Sequence, residues 1–567
     1  MPMNYRHFKY EGWLYGLAFL LALGVRFLTL DAIPLNDSEA ASALQALQLS
    51  QGLRPALGPH PAYILLTAPL FFLYGGGTDF LARTVPALAG SALVFAPLLF
   101  ADRIKPRPAL ILAFFIAFDP GLTAISRQAA SPILAITFLV FALGFLNRQK
   151  LQTAGAFAGL ALLGGPAIWP GILGLLITWA VYRAVASRLS SNEHPQVVSV
   201  DYKEAWIPFA FTFIGVGSLF FIAPNGLSAA LGSISAYFSG WVDPSNIGAG
   251  WLLISLPAYQ PFAIFLSIIA MTRGWRKGSL RVILLSIWLL VSLLIALFYP
   301  ARQVADLAWS LLPLWTLSAL GIVRFVDISL EERNEALGAI LLTAFLWVFG
   351  WLNFTGLVWK APGQPGYSLQ FWMVIGSLVL LVVSLLLIAF GWSVRVAQFG
   401  AVWGLGLGLG ILGLGGTFGN IGIHGISRPE LWWPQGVPQQ AQLLENTVDD
   451  LSEWSMGYDN AIAVILYRLH YPSLQWALRE HNPVVADVLD IASAPELVIT
   501  DLAGDPNLAA SYRGQDFVWR QVTSWEIARP QDWLRWLAYR EMVQTNETII
   551  LWAREDLFLD SSLVPAQ

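Results

Sequence analysis

A succession of apolar runs close to twenty residues long leaves this chain one class of fold. The runs are 12–30, 82–101, 108–124, 131–147, 153–165, 168–186, 204–223, 250–271, 281–299, 304–323, 335–356, 368–391 and 396–415. About 20 apolar residues are what a helix needs to cross a bilayer, and such helices satisfy their own backbone polar groups inside lipid. With 56% hydrophobic and only 12% charged residues, the spacing predicts a polytopic α-helical membrane protein of about thirteen transmembrane helices. A net charge of −4 without any basic run argues against a nucleic-acid partner. The absence of cysteine excludes disulfides, cysteine nucleophiles and thiolate metal sites. The first run, Trp13 to Leu30, has no small-x-small cleavage site and is expected to stay as a signal anchor.

Charge placement arbitrates the topology. A further run, 61–74, lies between His60-Pro61 and the Gly75-Gly76-Gly77 turn and is short for a span. If it does not cross, alternate loops hold Arg6/Lys9, Arg103/Lys105/Arg107, Arg148/Lys150, Arg188/Lys203, Arg273/Arg276/Lys277/Arg281, Arg324/Arg333 and Arg395. The opposite loops then hold little beyond Arg54, Arg83, Arg127, Arg302 and Lys360. That asymmetry is the positive-inside pattern. It predicts a multi-pass protein of the cell membrane with a cytoplasmic N-terminus and an extracytoplasmic C-terminus. The transmembrane domain is expected over residues 1–415, with in-plane helices in the outer loop 31–81.

Composition changes after residue 416. Charges, prolines and short strand-like runs predict an extracytoplasmic α/β domain over 416–567. Its expected elements are helices at 439–456, 472–481 and 531–540 and strands at 461–467, 483–488, 496–500, 516–522 and 546–553. The Gly-rich stretch 404–416 lies inside an apolar run with no strand before it, which favours close helix packing over a nucleotide loop.

Candidate chemistry gathers on the expected outer side. Asp37 and Glu39 follow the first span, where carboxylates are costly unless something uses them. Two uses compete. Asn36-x-x-Glu39 has the spacing of a helix capping box, and a carboxylate beside an apolar wall is placed to act as a general base. His60 and Tyr63 enter the short run, and Arg83 opens a span, where snorkelling is the simpler account. Ser126-Arg127 needs a partner, either Asp119 or an anionic ligand, and Arg302 poses the same choice with Asp306 as its structural competitor. Trp241 and Asp243 belong to an outer loop, 225–249.

Taken in order, these features resemble the GT-C membrane glycosyltransferases, the group of protein O-mannosyltransferases, lipid A aminoarabinose transferases and their polyprenyl-phosphate-sugar-dependent relatives. The resemblance covers the whole architecture through short motifs. The family's adjacent Asp-Glu is split here by Ser38, and Ala62 stands for the second proline of its His-Pro-Pro-Leu-like element. The resemblance implies a glycosyltransferase that moves a sugar from a polyprenyl-phosphate-linked donor to a protein, lipid or glycan acceptor on the outer face of the cell envelope. It implies inversion at the anomeric carbon, with Asp37, or Glu39 second, as base, and His60, Tyr63, Arg83, Arg127 and Arg302 as substrate-binding residues. Asp37, Glu39 and His60 also offer oxygen and nitrogen ligands to a divalent metal, at no diagnostic spacing. The competing expectations are a GT-C-shaped scaffold without activity and a lipid or sugar transporter; few charges inside the spans and no clear internal repeat speak against the transporter.

Overall fold

A computed structural model of the chain describes residues 8–189, 203–326, 332–422, 428–433, 436–490, 494–502, 504 and 508–558. Each of the thirteen apolar runs contains helix, as the need to satisfy backbone groups in lipid dictates. Among the described residues, seven helices are long and apolar enough to cross a membrane, or nine if each of two bent pairs is one span, against the thirteen expected. The protein is a multi-pass helical membrane protein with a sheet-bearing C-terminal part.

Both bent pairs break at proline. Pro106–Phe118 and Pro120–Ser126 meet at 57°, and Ala249–Tyr259 and Pro261–Arg276 at 88°. The run 250–271 is therefore two nearly perpendicular helices. Proline lacks an N–H, and its ring disfavours helical backbone at the preceding residue. Asp119 accordingly sits extended at φ −65°, ψ 126°, and Gln260 at φ −118°, ψ 41°. The two breaks are pinned together. Asp119 accepts hydrogen bonds from the Leu122 backbone (2.6 Å), Gln260 Nε2 (3.2 Å) and Trp315 Nε1 (2.6 Å), and is fully buried.

The helix Pro61–Tyr74 has 14 residues. At 1.5 Å per residue that is about 21 Å, short of a hydrocarbon core of about 30 Å. The Gly-rich run packs helix on helix as expected: a Cβ on Gly404 would lie 2.5 Å from Thr343 and one on Gly408 would lie 2.1 Å from the Trp347 ring.

The C-terminal part holds a six-stranded mixed sheet of β1 (Val437–Pro438), β2 (Val464–Tyr467), β3 (Val484–Ala486), β4 (Leu497–Asp501), β5 (Tyr512–Thr523) and β6 (Gln544–Arg554), in the order β1-β5-β6-β4-β2-β3. β2 runs parallel to β3 and β4, and the remaining pairs are antiparallel. Alternation places Phe517, Trp519, Ile549, Leu551 and Ala553 inward, against the helix Ala441–Met456 and the segment around Leu474. The sheet does not hang free of the helices. Trp476 packs on Phe71 (ring centroids 5.9 Å apart) and donates to Asp79 (2.6 Å), while Arg479 donates to the Gly77 carbonyl (2.9 Å). A Cβ on Gly77 would lie 2.7 Å from Trp476, so this close approach requires glycine. Trp476, Trp525 and Trp536 belong to the same apolar core as the membrane helices.

Candidate functional site

At the end of the helical body that carries the sheet lies a cleft of about 430 Å³. Its polar walls come from Ser38, Glu39, His60, Gln128, Asp243 and Asp306. No lysine or arginine lines it among the described residues. The first turns of Ile133–Asn147 and Ile168–Leu189 open on it through Ser131-Pro132 and Pro166-Ala167. Such helix ends carry partial positive charge.

Glu39 is brought to the cleft by the helix Asp37–Ser50, and the capping box foreseen from the spacing is present. The Glu39 N–H donates to the Asn36 side chain (3.0 Å), and the Asn36 N–H donates to Glu39 Oε2 (3.2 Å). The same carboxylate takes a forked pair from Arg83, Nε to Oε1 at 2.9 Å and Nη2 to Oε2 at 2.7 Å, and a fourth bond from the Ala129 N–H at 2.8 Å. Four donors occupy its lone pairs, and both side chains are 1% exposed. Glu39 is thus a fixed anion at the cleft wall.

Asp37 faces away from the cleft. Its Oδ1 accepts from the Ser473 N–H (3.0 Å) and Oγ (2.6 Å), and its Oδ2 pairs with Arg520. Arg520 also binds Glu547 (2.6 Å) and lies 4.1 Å over the Tyr471 ring. The residue best matched to the family's base therefore ties the helical body to the sheet.

The arginines divide. Arg83 donates, beyond Glu39, to the carbonyls of Leu30, Ile33 and Pro34, which fixes the loop after the first helix. Arg127 does not pair with Asp119, which accepts from Leu122, Gln260 and Trp315 instead. Its guanidinium donates to the carbonyls of Arg26 (2.8 Å), Leu28 (2.7 Å), Thr29 (2.7 Å) and Ile421 (3.1 Å), at 2% exposure. Those carbonyls are the orphan acceptors at the ends of Phe8–Phe27 and Gly406–Asn420, where a cation suits the negative end of the helix dipole. Arg26 does the same for the Ile116 and Ala117 carbonyls at the break before Pro120. Arg302 differs. Its Nη1 donates to the Ile247 carbonyl (3.1 Å), its Nε, like that of Arg127, has no partner among the described residues, and its neighbours Ala301 and Gln303 line the cleft. Asp306 is not its ion-pair partner; it accepts from the Gln303 N–H (2.8 Å) instead.

His60 precedes Pro61 at the cleft wall, with Gly165 folded over it: a Cβ there would lie 2.7 Å from Nδ1, at a φ of +89°. Burial holds its imidazole down to about 4, so it is neutral at pH 7. Tyr63 does not line the cleft; it is buried and donates to the Ala82 carbonyl (2.9 Å). Sequence reasoning gave Asp306 and the stacked pair Tyr237 and Tyr299 (5.1 Å) no functional part, although all three line the cleft. The signal in the chain was Tyr299-Pro300, which ends a helix at the cleft. No group of three or more metal-ligating side chains occurs among the described residues.

The helical body, its kinked spans and the docked sheet together form an architecture that solved membrane proteins share. The chain is similar over 98% of its length to the crystal structure of ArnT from Cupriavidus metallidurans bound to undecaprenyl phosphate, 99% of which is covered, at 14% identity and a TM-score of 0.55. The apo form of ArnT aligns over the same shares at a TM-score of 0.49. The Archaeoglobus fulgidus oligosaccharyltransferase AglB, in complex with an inhibitory peptide and a dolichol-phosphate, aligns over 88% of this chain and 70% of its own at 13% identity and a TM-score of 0.42. No family model matches the chain, and no curated protein matches it. The fold expected from the sequence is thus shared with a solved structure over 98% of the chain.

Proposed function

We propose that the protein is a glycosyltransferase that moves a sugar from a polyprenyl-phosphate-linked donor to an acceptor in the cleft beneath its C-terminal domain. The observation that carries this reading is the full-length likeness to ArnT holding undecaprenyl phosphate, in a chain whose cleft opens at the domain-bearing end. The positive-inside pattern puts that end outside the cell membrane, with the N-terminus cytoplasmic, a transmembrane domain over 1–415 and an extracytoplasmic α/β domain over 416–567.

Departure of a lipid phosphate develops negative charge on its oxygens. Arg302, with an unpartnered Nε, is the cation for it, helped by the two helix N-termini at the cleft. Arg83 is spent on Glu39 and on backbone carbonyls, and both terminal nitrogens of Arg127 are spent on carbonyls, which argues for a framework role. Neutral His60 offers one donor and one acceptor to a sugar or acceptor hydroxyl. Inversion follows if the acceptor oxygen attacks the anomeric carbon opposite the phosphate while a cleft carboxylate takes its proton.

A second reading, a GT-C fold without transfer, is favoured by one observation: both first-loop carboxylates are engaged in structural contacts. Proteoliposomes carrying the protein, a panel of undecaprenyl-phosphate-linked hexoses and pentoses, and a cell-envelope extract of the source organism separate the two. Protein-dependent release of undecaprenyl phosphate, lost in Arg302→Ala, is the expected result. No release from any donor in the panel would leave only the scaffold.

A further inference from the structure

Of the carboxylates that line the cleft, Glu39 has four donors on its two oxygens, and Asp243 sits on an exposed loop. Asp306 is different. It stands at the start of Val304–Phe325, the most deeply buried of the seven long helices, at a point where the chain turns into the cleft. Its Oδ2 caps that turn by accepting from the Gln303 N–H at 2.8 Å, and among the described residues no hydrogen bond reaches its Oδ1 and no ion pair engages it. It also lines a small adjoining pocket with Tyr299, Trp309 and Pro170, so one face of the carboxyl meets apolar walls and the other the cleft. A carboxylate fixed through one oxygen, free at the other and poor in water is what general-base work requires. Glu39, with donors on both oxygens, has no oxygen left open to an acceptor hydroxyl.

We propose that Asp306 is the base of the transfer reaction and that Glu39 is a framework anion; the proposal rests on the glycosyltransferase reading above. The acceptor hydroxyl oxygen forms a bond to the anomeric carbon of the donor sugar, and the carbon–oxygen bond to the lipid phosphate breaks. The bonding pair leaves with the phosphate as polyprenyl phosphate. The hydroxyl proton passes to Asp306 Oδ1 and then to water. Arg302, four residues earlier, lies between the cleft-lining Ala301 and Gln303, so base and cation come from one short segment whose turn Asp306 caps. Sequence order hides this pairing, because an Arg-x-x-x-Asp spacing reads as a surface ion pair.

The test uses the full-length protein in the proteoliposome assay. In Asp306→Asn the amide oxygen still accepts from Gln303, so folding is preserved and the melting temperature should match that of wild type. Transfer should fall about a hundred- to ten-thousand-fold, the usual worth of a general base. Donor affinity, measured by wild-type-like binding of the undecaprenyl-phosphate sugar that supports turnover, should remain within about threefold, since the lost term acts only in the transition state. Added formate should restore part of the rate to Asp306→Ala, a rescue that no capping role produces. Wild-type turnover with an Asp306→Asn rate within tenfold of it would overturn the assignment alone. A wild type silent towards every donor would overturn the transferase reading, and the base with it.

Discussion

Breaking the Glu39–Arg83 pair provides a quantitative test of how this cleft is built. Both groups are 1% exposed and joined by two hydrogen bonds of 2.9 and 2.7 Å. Removing one partner of such a pair strands the other as a buried charge, at about 3–5 kcal/mol. The two sides are not equivalent. Arg83→Met strands Glu39 and also frees the carbonyls of Leu30, Ile33 and Pro34, so it belongs at the upper end, about 5 kcal/mol. Glu39→Gln keeps an oxygen for Arg83 and leaves those three carbonyls bonded, so it should cost about 2–3 kcal/mol. The double variant leaves no stranded charge and should be more stable than the sum of the singles predicts, by about 1–3 kcal/mol. Pulse proteolysis in a urea series, on protein in detergent, measures all three. The reasoning fails if Arg83→Met costs less than about 1 kcal/mol, or if the double variant equals the sum of the singles.

Other outcomes follow from single contacts. Asp37→Ala and Arg520→Ala should each loosen the sheet from the helical body, with a coupling of about 1–2 kcal/mol in a double-mutant cycle read by protease nicking between the two parts. The His60 imidazole should titrate near 4 by NMR. Because its folded value lies below the ordinary 6.5, its contribution to stability is full above about pH 6.5 and is lost as pH falls towards 4; a melting temperature flat across that window in a His60→Gln comparison would refute it. Gly408→Leu should destabilise by about 1–3 kcal/mol, because a Cβ already lies 2.1 Å from the Trp347 ring, and wild-type thermal stability would contradict that packing. Arg127→Lys should lose stability and not donor affinity, because an ammonium cannot span four carbonyls in one plane; unchanged melting with weakened donor binding would reverse the assignment.

Periodicity carried much of the fold into view. Apolar runs gave the helices because lipid permits little else, and alternation in 546–553 gave β6 its inward Ile549, Leu551 and Ala553. The missed strand, Val437–Pro438, is two residues long and contains a proline, so it has no periodicity to detect and lies at the sheet edge where proline is tolerated. The kink at 260 was less legible, since Pro261 within an apolar run fits a bent span and a broken one equally. The site was harder. Arg127 does not meet Asp119, the carboxylate weighed for it; its protein partners are carbonyls, which every residue carries and no sequence marks. Asn36-x-x-Glu39 did announce its capping box, because that interaction is local. Arg83, 44 residues away, was visible only once the fold closed.

The first-loop acids also explain how the sheet domain and the cleft are joined. Residues two apart on a helix point about 200° from one another, so Asp37 and Glu39 cannot serve one ligand together. The chain uses that divergence. Asp37 grips Ser473 and Arg520 on the sheet side, and Glu39, at the cleft wall, grips Arg83 and the Ala129 backbone. One helix N-terminus therefore holds both surfaces, and a shift of the sheet domain moves the anchor of Glu39 and of the 129–132 segment that lines the cleft with it. An acidic pair split by one residue is, in this geometry, a joint between domain position and cleft shape, which frees the proton-transfer role for a carboxylate elsewhere on the wall.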